Sequence, residues 1–100
     1  MSNRETLSDY LIVRELGEPI TRDQLDEVAD RSGEVLSELR SEGTDIEWVD
    51  SEVLATDEGS VSGTVCHYRA ESEASVEEHA ERAGLPITTL ARRDEPLDGE

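Results

Sequence analysis

Leu25, Val28, Ala29, Ser32, Val35, Leu36 and Leu39 follow one another at steps of three and four residues, the spacing that gathers side chains onto one stripe of an α-helix. A helix with a single apolar stripe has to lay it against another element, so the rest of the chain must supply a surface for it to cover. Thr21-Arg22-Asp23-Gln24 stands just before the stripe as a capping box, in which the Thr hydroxyl and the Gln side chain satisfy free backbone donors. Arg40 and Gly43 close the far end.

The flanking segments read as strands. Residues 10–16 form an apolar run interrupted by Arg14 and Glu15 and ended by Gly17 and Pro19. Residues 46–55 alternate loosely, with Ile46, Trp48 and Asp50 against Glu47, Val49, Ser51 and Val53. Residues 61–70 resume after the turn signal Thr56-Asp57-Glu58-Gly59-Ser60, so the two segments make a hairpin. A second capping box, Ser75-Val76-Glu77-Glu78, is expected to open a short helix with Val76, His79, Ala80 and Ala83 turned inward, Gly84 at its C-cap and Pro86 beyond. Residues 87–90 complete the pattern as a last strand.

Strand, helix, hairpin, helix, strand is the split βαβ arrangement, an α+β ferredoxin-like fold in which two helices cover one face of a four-stranded antiparallel sheet. We expect one domain over residues 1–92 and a disordered acidic tail over 93–100, a stretch with almost nothing to bury. The second sheet face is left open. If it carries Tyr10, Trp48 or Tyr68 it is an exposed apolar patch, and the expected partner is a second copy packed sheet to sheet, as in dimeric α+β barrels.

A partner would help such a chain. Only 34% of its 100 residues are hydrophobic and none is Phe, so the core rests on Leu, Ile, Val and Ala, and small domains bury a modest share of their surface. Acidic residues number 26 against 9 basic ones, for a net charge of -17. All of the basic residues are Arg, and the acids are spread along the whole chain. This excess argues against nucleic acid and against anionic membrane surfaces as partners. It matches a halophilic protein whose self-repulsion is screened in molar salt. No segment approaches the roughly twenty apolar residues of a membrane span, and the polar first ten residues lack a signal-peptide core, so the expected location is cytoplasmic. The single Cys66 excludes an internal disulfide framework and the zinc motifs built on paired cysteines.

Two stretches, Val65-Cys66-His67-Tyr68-Arg69-Ala70 and Val76-Glu77-Glu78-His79-Ala80-Glu81-Arg82-Ala83-Gly84-Leu85-Pro86, resemble a small ferredoxin-like family of nickel-binding proteins. Trp48 and Ser51 fit the same pattern. The resemblance implies a dimeric protein that takes up Ni²⁺ or another divalent transition metal. At one point the chain departs from the family: Arg69-Ala70-Glu71 stands where Glu-Ala-Pro is common, which puts an arginine in the place of a carboxylate.

The residues themselves can be examined for that chemistry. Such metals favour imidazole and accept thiolate or carboxylate, and Cys66, His67 and His79 are the chain's only strong nitrogen or sulfur donors. Neighbouring strand residues point to opposite faces, so one of Cys66 and His67 faces the helices and the other the open side. His79 lies on the stripe turned toward the sheet, over whichever of the two faces it. Catalysis is the alternative, since Cys66 and His79 are the residue types of a thiolate–imidazole pair in a small cofactor-independent enzyme. A plain interaction module is the third reading. With no nucleophile motif, phosphate loop or metalloprotease helix in the sequence, a non-enzymatic metal-binding homodimer is the reading preferred here.

The charge makes a direct prediction. Raising KCl from about 0.1 to about 2 M should raise the thermal midpoint, because screening contracts to a few ångströms; a midpoint that stays level in a salt series followed by circular dichroism would show that self-repulsion does not limit stability.

Overall fold

The structure is a computed structural model that describes residues 7–94, 97 and 99. Its elements run β1 (Ser8–Ile20), α1 (Arg22–Ser41), β2 (Ile46–Ala55), β3 (Val61–Ala70), α2 (Glu73–Ala83) and β4 (Thr89–Arg92). The strands form one antiparallel sheet in the order β2-β3-β1-β4, and both helices pack on the same face. This is the ferredoxin-like architecture expected from the sequence.

The capping box at Thr21 forms as read: the Gln24 amide donates to Thr21 Oγ1 at 3.1 Å, and the Thr21 amide to Gln24 Oε1 at 2.9 Å. The second helix starts earlier than expected. Its N-cap is Ser72, whose Oγ accepts from the Ser75 amide at 3.1 Å, while the Ser75 hydroxyl donates back to the Ser72 carbonyl at 2.6 Å. The serine read as the cap therefore lies inside the first turn, because Ser72 offers the same capping chemistry three residues upstream. Strand β1 also outruns its expected end. Beyond Glu15 the ladder to β3 shifts and resumes at Ile20 opposite Val61, so Gly17 and Pro19 fall in the irregular stretch, where a missing ladder donor costs little. Strand β4 is displaced toward the C-terminus, with Leu90 opposite Ile12. Arg93 continues along its edge, its amide donating to the Asp9 carbonyl at 2.8 Å. Of the tail expected to be disordered, residues 95, 96, 98 and 100 lie outside the described residues.

Register decides which side chains face the helices. Tyr10 pairs with Tyr68, Ile12 with Cys66 and Arg14 with Thr64, and this inward row packs with Ile46, Val35, Leu36, Leu39, Ala70 and Val76 in one core. The condition for an aromatic patch on the open face is therefore not met by the tyrosines. Tyr10 and Tyr68 are buried beneath the helices, because alternation along β1 and β3 places them in phase with Ile12 and Cys66. Trp48 pairs with Tyr68 and shares its side of the sheet, although it is 51% exposed at the edge strand.

The loose alternation of β2 has a structural cause. Trp48 is opposite Tyr68 and Asp50 opposite His67, so Val49 is an extra residue, a β-bulge that inverts the phase. Ile46 and Trp48 before it, and Ser51 and Val53 after it, consequently face the same way. The Trp48 indole then donates across the bulge to Ser51 Oγ at 2.8 Å.

At the C-terminal ends of the helices Arg82 donates two bonds to the Glu42 carboxylate, at 2.8 and 2.9 Å, and a third to Glu78 at 2.8 Å. The contact holds the Glu42 carboxyl below its ordinary range and ties α2 to the end of α1. No helix among the described residues is long and apolar enough to cross a membrane.

Gly63 lies against the backbone of β1, and a Cβ there would collide with the Arg14 carbonyl oxygen, a backbone atom that cannot swing aside. Urea denaturation should show Gly63→Ala destabilised by about 1–3 kcal/mol. Gly17→Ala, whose Cβ would meet nothing within 4 Å, should remain within about 0.5 kcal/mol of the parent.

Candidate functional site

The three donor residues singled out in the sequence are divided between the two faces of the sheet. Cys66 lies on the helix side, 6% exposed, with its thiol donating to Thr64 Oγ1 at 3.4 Å. His79 is 0% exposed on the inner stripe of α2. Its ring packs against Tyr68, with centroids 5.2 Å apart and planes inclined by 47°. Nε2 lies 3.0 Å from Ser32 Oγ and 3.3 Å from the Ser32 carbonyl. A carbonyl can only accept, which favours the tautomer protonated at Nε2. Nδ1 is buried and has no partner among the described residues. Cys66 and His79 thus share a layer, but their hydrogen bonds go to Thr64 and Ser32 rather than to each other, and the ring directly against the imidazole belongs to Tyr68.

Burial pushes the His79 pKa down to about 4, with the positive Arg14 adding to the effect and the Ser32 carbonyl opposing it. The imidazole is neutral at pH 7. Tyr68, whose hydroxyl stands 3.4 Å from Ser32 Oγ, is pushed up by burial, partly offset by that hydrogen bond.

Sequence reading passed over Arg14, treating it as a break in an apolar run. In the structure Arg14 is 3% exposed, in the inward row of β1. Nη1 donates to the Pro86 carbonyl at 2.9 Å, while Nε and Nη2 meet no partner among the described residues. Its place in phase with Tyr10 and Ile12 was the available signal: a charged residue at an inward strand position.

Arg14, Cys66, Ser32, Tyr68 and Trp48 line a cavity of about 370 Å³ between the sheet and the N-terminal half of α1. Here the stripe of α1 is incompletely covered. Val35, Leu36 and Leu39 are buried, whereas Leu25 and Val28 are only partly so and Ala29 is exposed, because the first half of the helix borders the cavity rather than the packed core.

His67 occupies the open face, in register with Leu11 on one side and Asp50 on the other. Its Nε2 is 2.7 Å from Asp9 Oδ1. Arg69 also reaches Asp9, Nε to Oδ1 at 3.2 Å, and continues to Glu47 at 3.3 Å. The His67 hydrogen bond is the main cause, and Arg69 a further one, that hold the Asp9 carboxyl below its ordinary value against a cost of desolvation. Around this network Leu11, Val13 and Val65 remain only partly buried. Among the described residues, no three His, Cys, Asp or Glu side chains of one chain converge as a metal site.

The profile of the SCO4226-like nickel responsive proteins matches residues 10–92. The chain belongs to that family. The resemblance seen around Cys66 and His79 is therefore a family relationship, and it extends over nearly the whole described fold. Among solved structures, the crystal structure of SCO4226 from Streptomyces coelicolor A3(2) aligns with a TM-score of 0.65 at 20% identity, covering 92% of this chain and 100% of that one. At that identity the likeness speaks for the fold. No curated protein sequence matches the chain.

The buried imidazole carries a sign-definite pH dependence. Its folded pKa, about 4, lies below the ordinary 6.5 of an unfolded chain, so its contribution is complete above pH 6.5 and is lost as the pH falls toward 4, by on the order of 3 kcal/mol. Denaturant titrations at pH 7 and pH 4.5 should show a larger acid loss for the parent than for His79→Gln; equal losses would mean the ring is protonated in the fold without penalty.

Proposed function

We propose that the protein is a non-catalytic homodimer that binds Ni²⁺ or another divalent transition metal through His67 on the open sheet face. The observation that carries this reading is the 2.7 Å contact between His67 Nε2 and Asp9. An imidazole that gives one N–H to a carboxylate is held in a single tautomer and orientation, with its other nitrogen free as a lone-pair donor, the arrangement common to metal-ligating histidines. Family membership supports the metal class, since the family is one of nickel responsive proteins.

The surroundings support the same choice. His79 has Nε2 engaged by Ser32 and Nδ1 sealed in the core, and Cys66 is buried on Thr64. His67 keeps a side-chain exposure of 12%, and its neighbours on that face include the carboxylates Asp9, Asp50 and Glu52. One chain places too few donors together. Two chains packed through the open faces would double them and would also cover Leu11, Val13 and Val65. Imidazole nitrogen with carboxylate oxygen suits Ni²⁺ and its Irving–Williams neighbours, and the bound ion would add positive charge to a face bordered by acids.

Light scattering at high salt should give the mass of a dimer, and isothermal titration should give stoichiometric Ni²⁺ uptake. His67→Ala should abolish the uptake and Asp9→Asn should weaken it by about 10–100-fold, while His79→Gln leaves it unchanged. Undiminished Ni²⁺ affinity in His67→Ala, or a monomer at full loading, would overturn the assignment.

A further inference from the structure

We propose that the cavity beneath the N-terminal half of α1 binds a small apolar molecule ending in a single carboxylate, with Arg14 as its counter-ion. The guanidinium is the reason. It stays protonated at any physiological pH, it is 3% exposed, and no carboxylate forms an ion pair with it among the described residues. Nη1 donates to the Pro86 carbonyl, and the guanidinium also lies close enough to the Tyr68 hydroxyl to favour its ionised form by contact and by charge. Nε and Nη2 are buried and unpartnered, and a buried charge left in that state costs several kcal/mol. In a chain with 26 acidic residues, the absence of an ion-pair partner among the described residues is a property of this position rather than a shortage of acids.

The cavity complements such a ligand at both ends. Its 370 Å³ lies in the range of small-molecule sites, and Leu16, Leu25, Val28 and Leu85 give it apolar walls. Beside Arg14 the Tyr68 hydroxyl and Ser32 Oγ supply neutral polar groups. The guanidinium favours the ionised form of that tyrosine, so its positive field reaches the same wall. The one carboxylate in the lining, Asp26, is exposed on α1. Nε and Nη2 are closed to water as the side chain lies, so binding requires the guanidinium to turn toward the cavity, where one carboxylate takes both donors, a geometry in which arginine exceeds lysine. The half-covered stripe of Leu25 and Val28 then has an occupant to pack against. This site lies on the opposite side of the sheet from His67 and does not depend on the metal reading.

Trp48 is the chain's only tryptophan and lines the cavity, so its fluorescence reports occupancy directly. Titration of the full chain at high salt with decanoate and with 2-naphthoate should give saturable quenching by at least one acid. The corresponding alcohol, decanol or 2-naphthylmethanol, should bind roughly tenfold or more weakly, as expected when a charge-assisted hydrogen bond is lost. Arg14→Met should erase the difference between acid and alcohol. Val28→Trp, which adds bulk to the wall that α1 contributes to the cavity, should block binding of decanoate when followed by isothermal titration, and His67→Ala should leave it intact. A preference for the straight or the ring-bearing acid would identify the shape of the body. Equal affinity of acid and alcohol, quenching that never saturates, or decanoate binding that survives Val28→Trp would each overturn the proposal.

Discussion

The antiparallel pairing of β1 with β3 is the constraint from which the rest follows. Once Tyr10 stands opposite Tyr68 and Ile12 opposite Cys66, every second residue of both central strands is committed to the helix side, and a slip of one position would turn the core row to solvent. The same register separates Cys66 from His67, brings Asp9 within reach of His67, and sends Arg14 inward. At Gly63 the absent side chain lets the Arg14 carbonyl lie against the β3 backbone.

The resulting core is small, and His79 and Arg14, both buried in it, are polar groups of very different character. His79 is compatible with burial because it gives up its charge: with a pKa of about 4 it sits as a neutral ring between Tyr68 and Ser32, joining α2, the sheet and α1. Arg14 has no such recourse. Its charge remains, with one of its three nitrogens hydrogen-bonded among the described residues, beside a cavity in a domain too short of apolar mass to fill all its interior. A chain with no Phe and a single Trp closes one half of the layer under α1 with Val35, Leu36 and Leu39 and leaves the other half hollow.

The two faces therefore hold separate chemistry. The open face is a charged, imidazole-bearing surface organised by Asp9 and Arg69, with half-covered aliphatic residues between the charges. The helix face holds a half-open apolar cleft with one fixed cation. Family membership speaks to nickel, and the orientation of His67 by Asp9 is the local geometry most compatible with it. The cavity has a different logic, resting on a guanidinium that no described group neutralises.

Much of this was determined by the sequence alone. Element order, the α1 stripe, the Thr21 capping box, the hairpin over β2 and β3, and the family resemblance around Cys66 and His79 are all local patterns, set by periodicity and capping within a few residues. The start of α2 was misplaced by one turn because Ser72 and Ser75 present nearly the same local signal. Tertiary structure decided whatever depends on phase between distant strands: that the tyrosines are inside, that the Val49 bulge brings Trp48 and Ser51 to one side, that Cys66 faces the helices and His67 the open surface, and that Arg14 is buried. Alternation tells which residues share a face, but which face is covered is settled only when strands far apart in the chain pair and the helices choose a side.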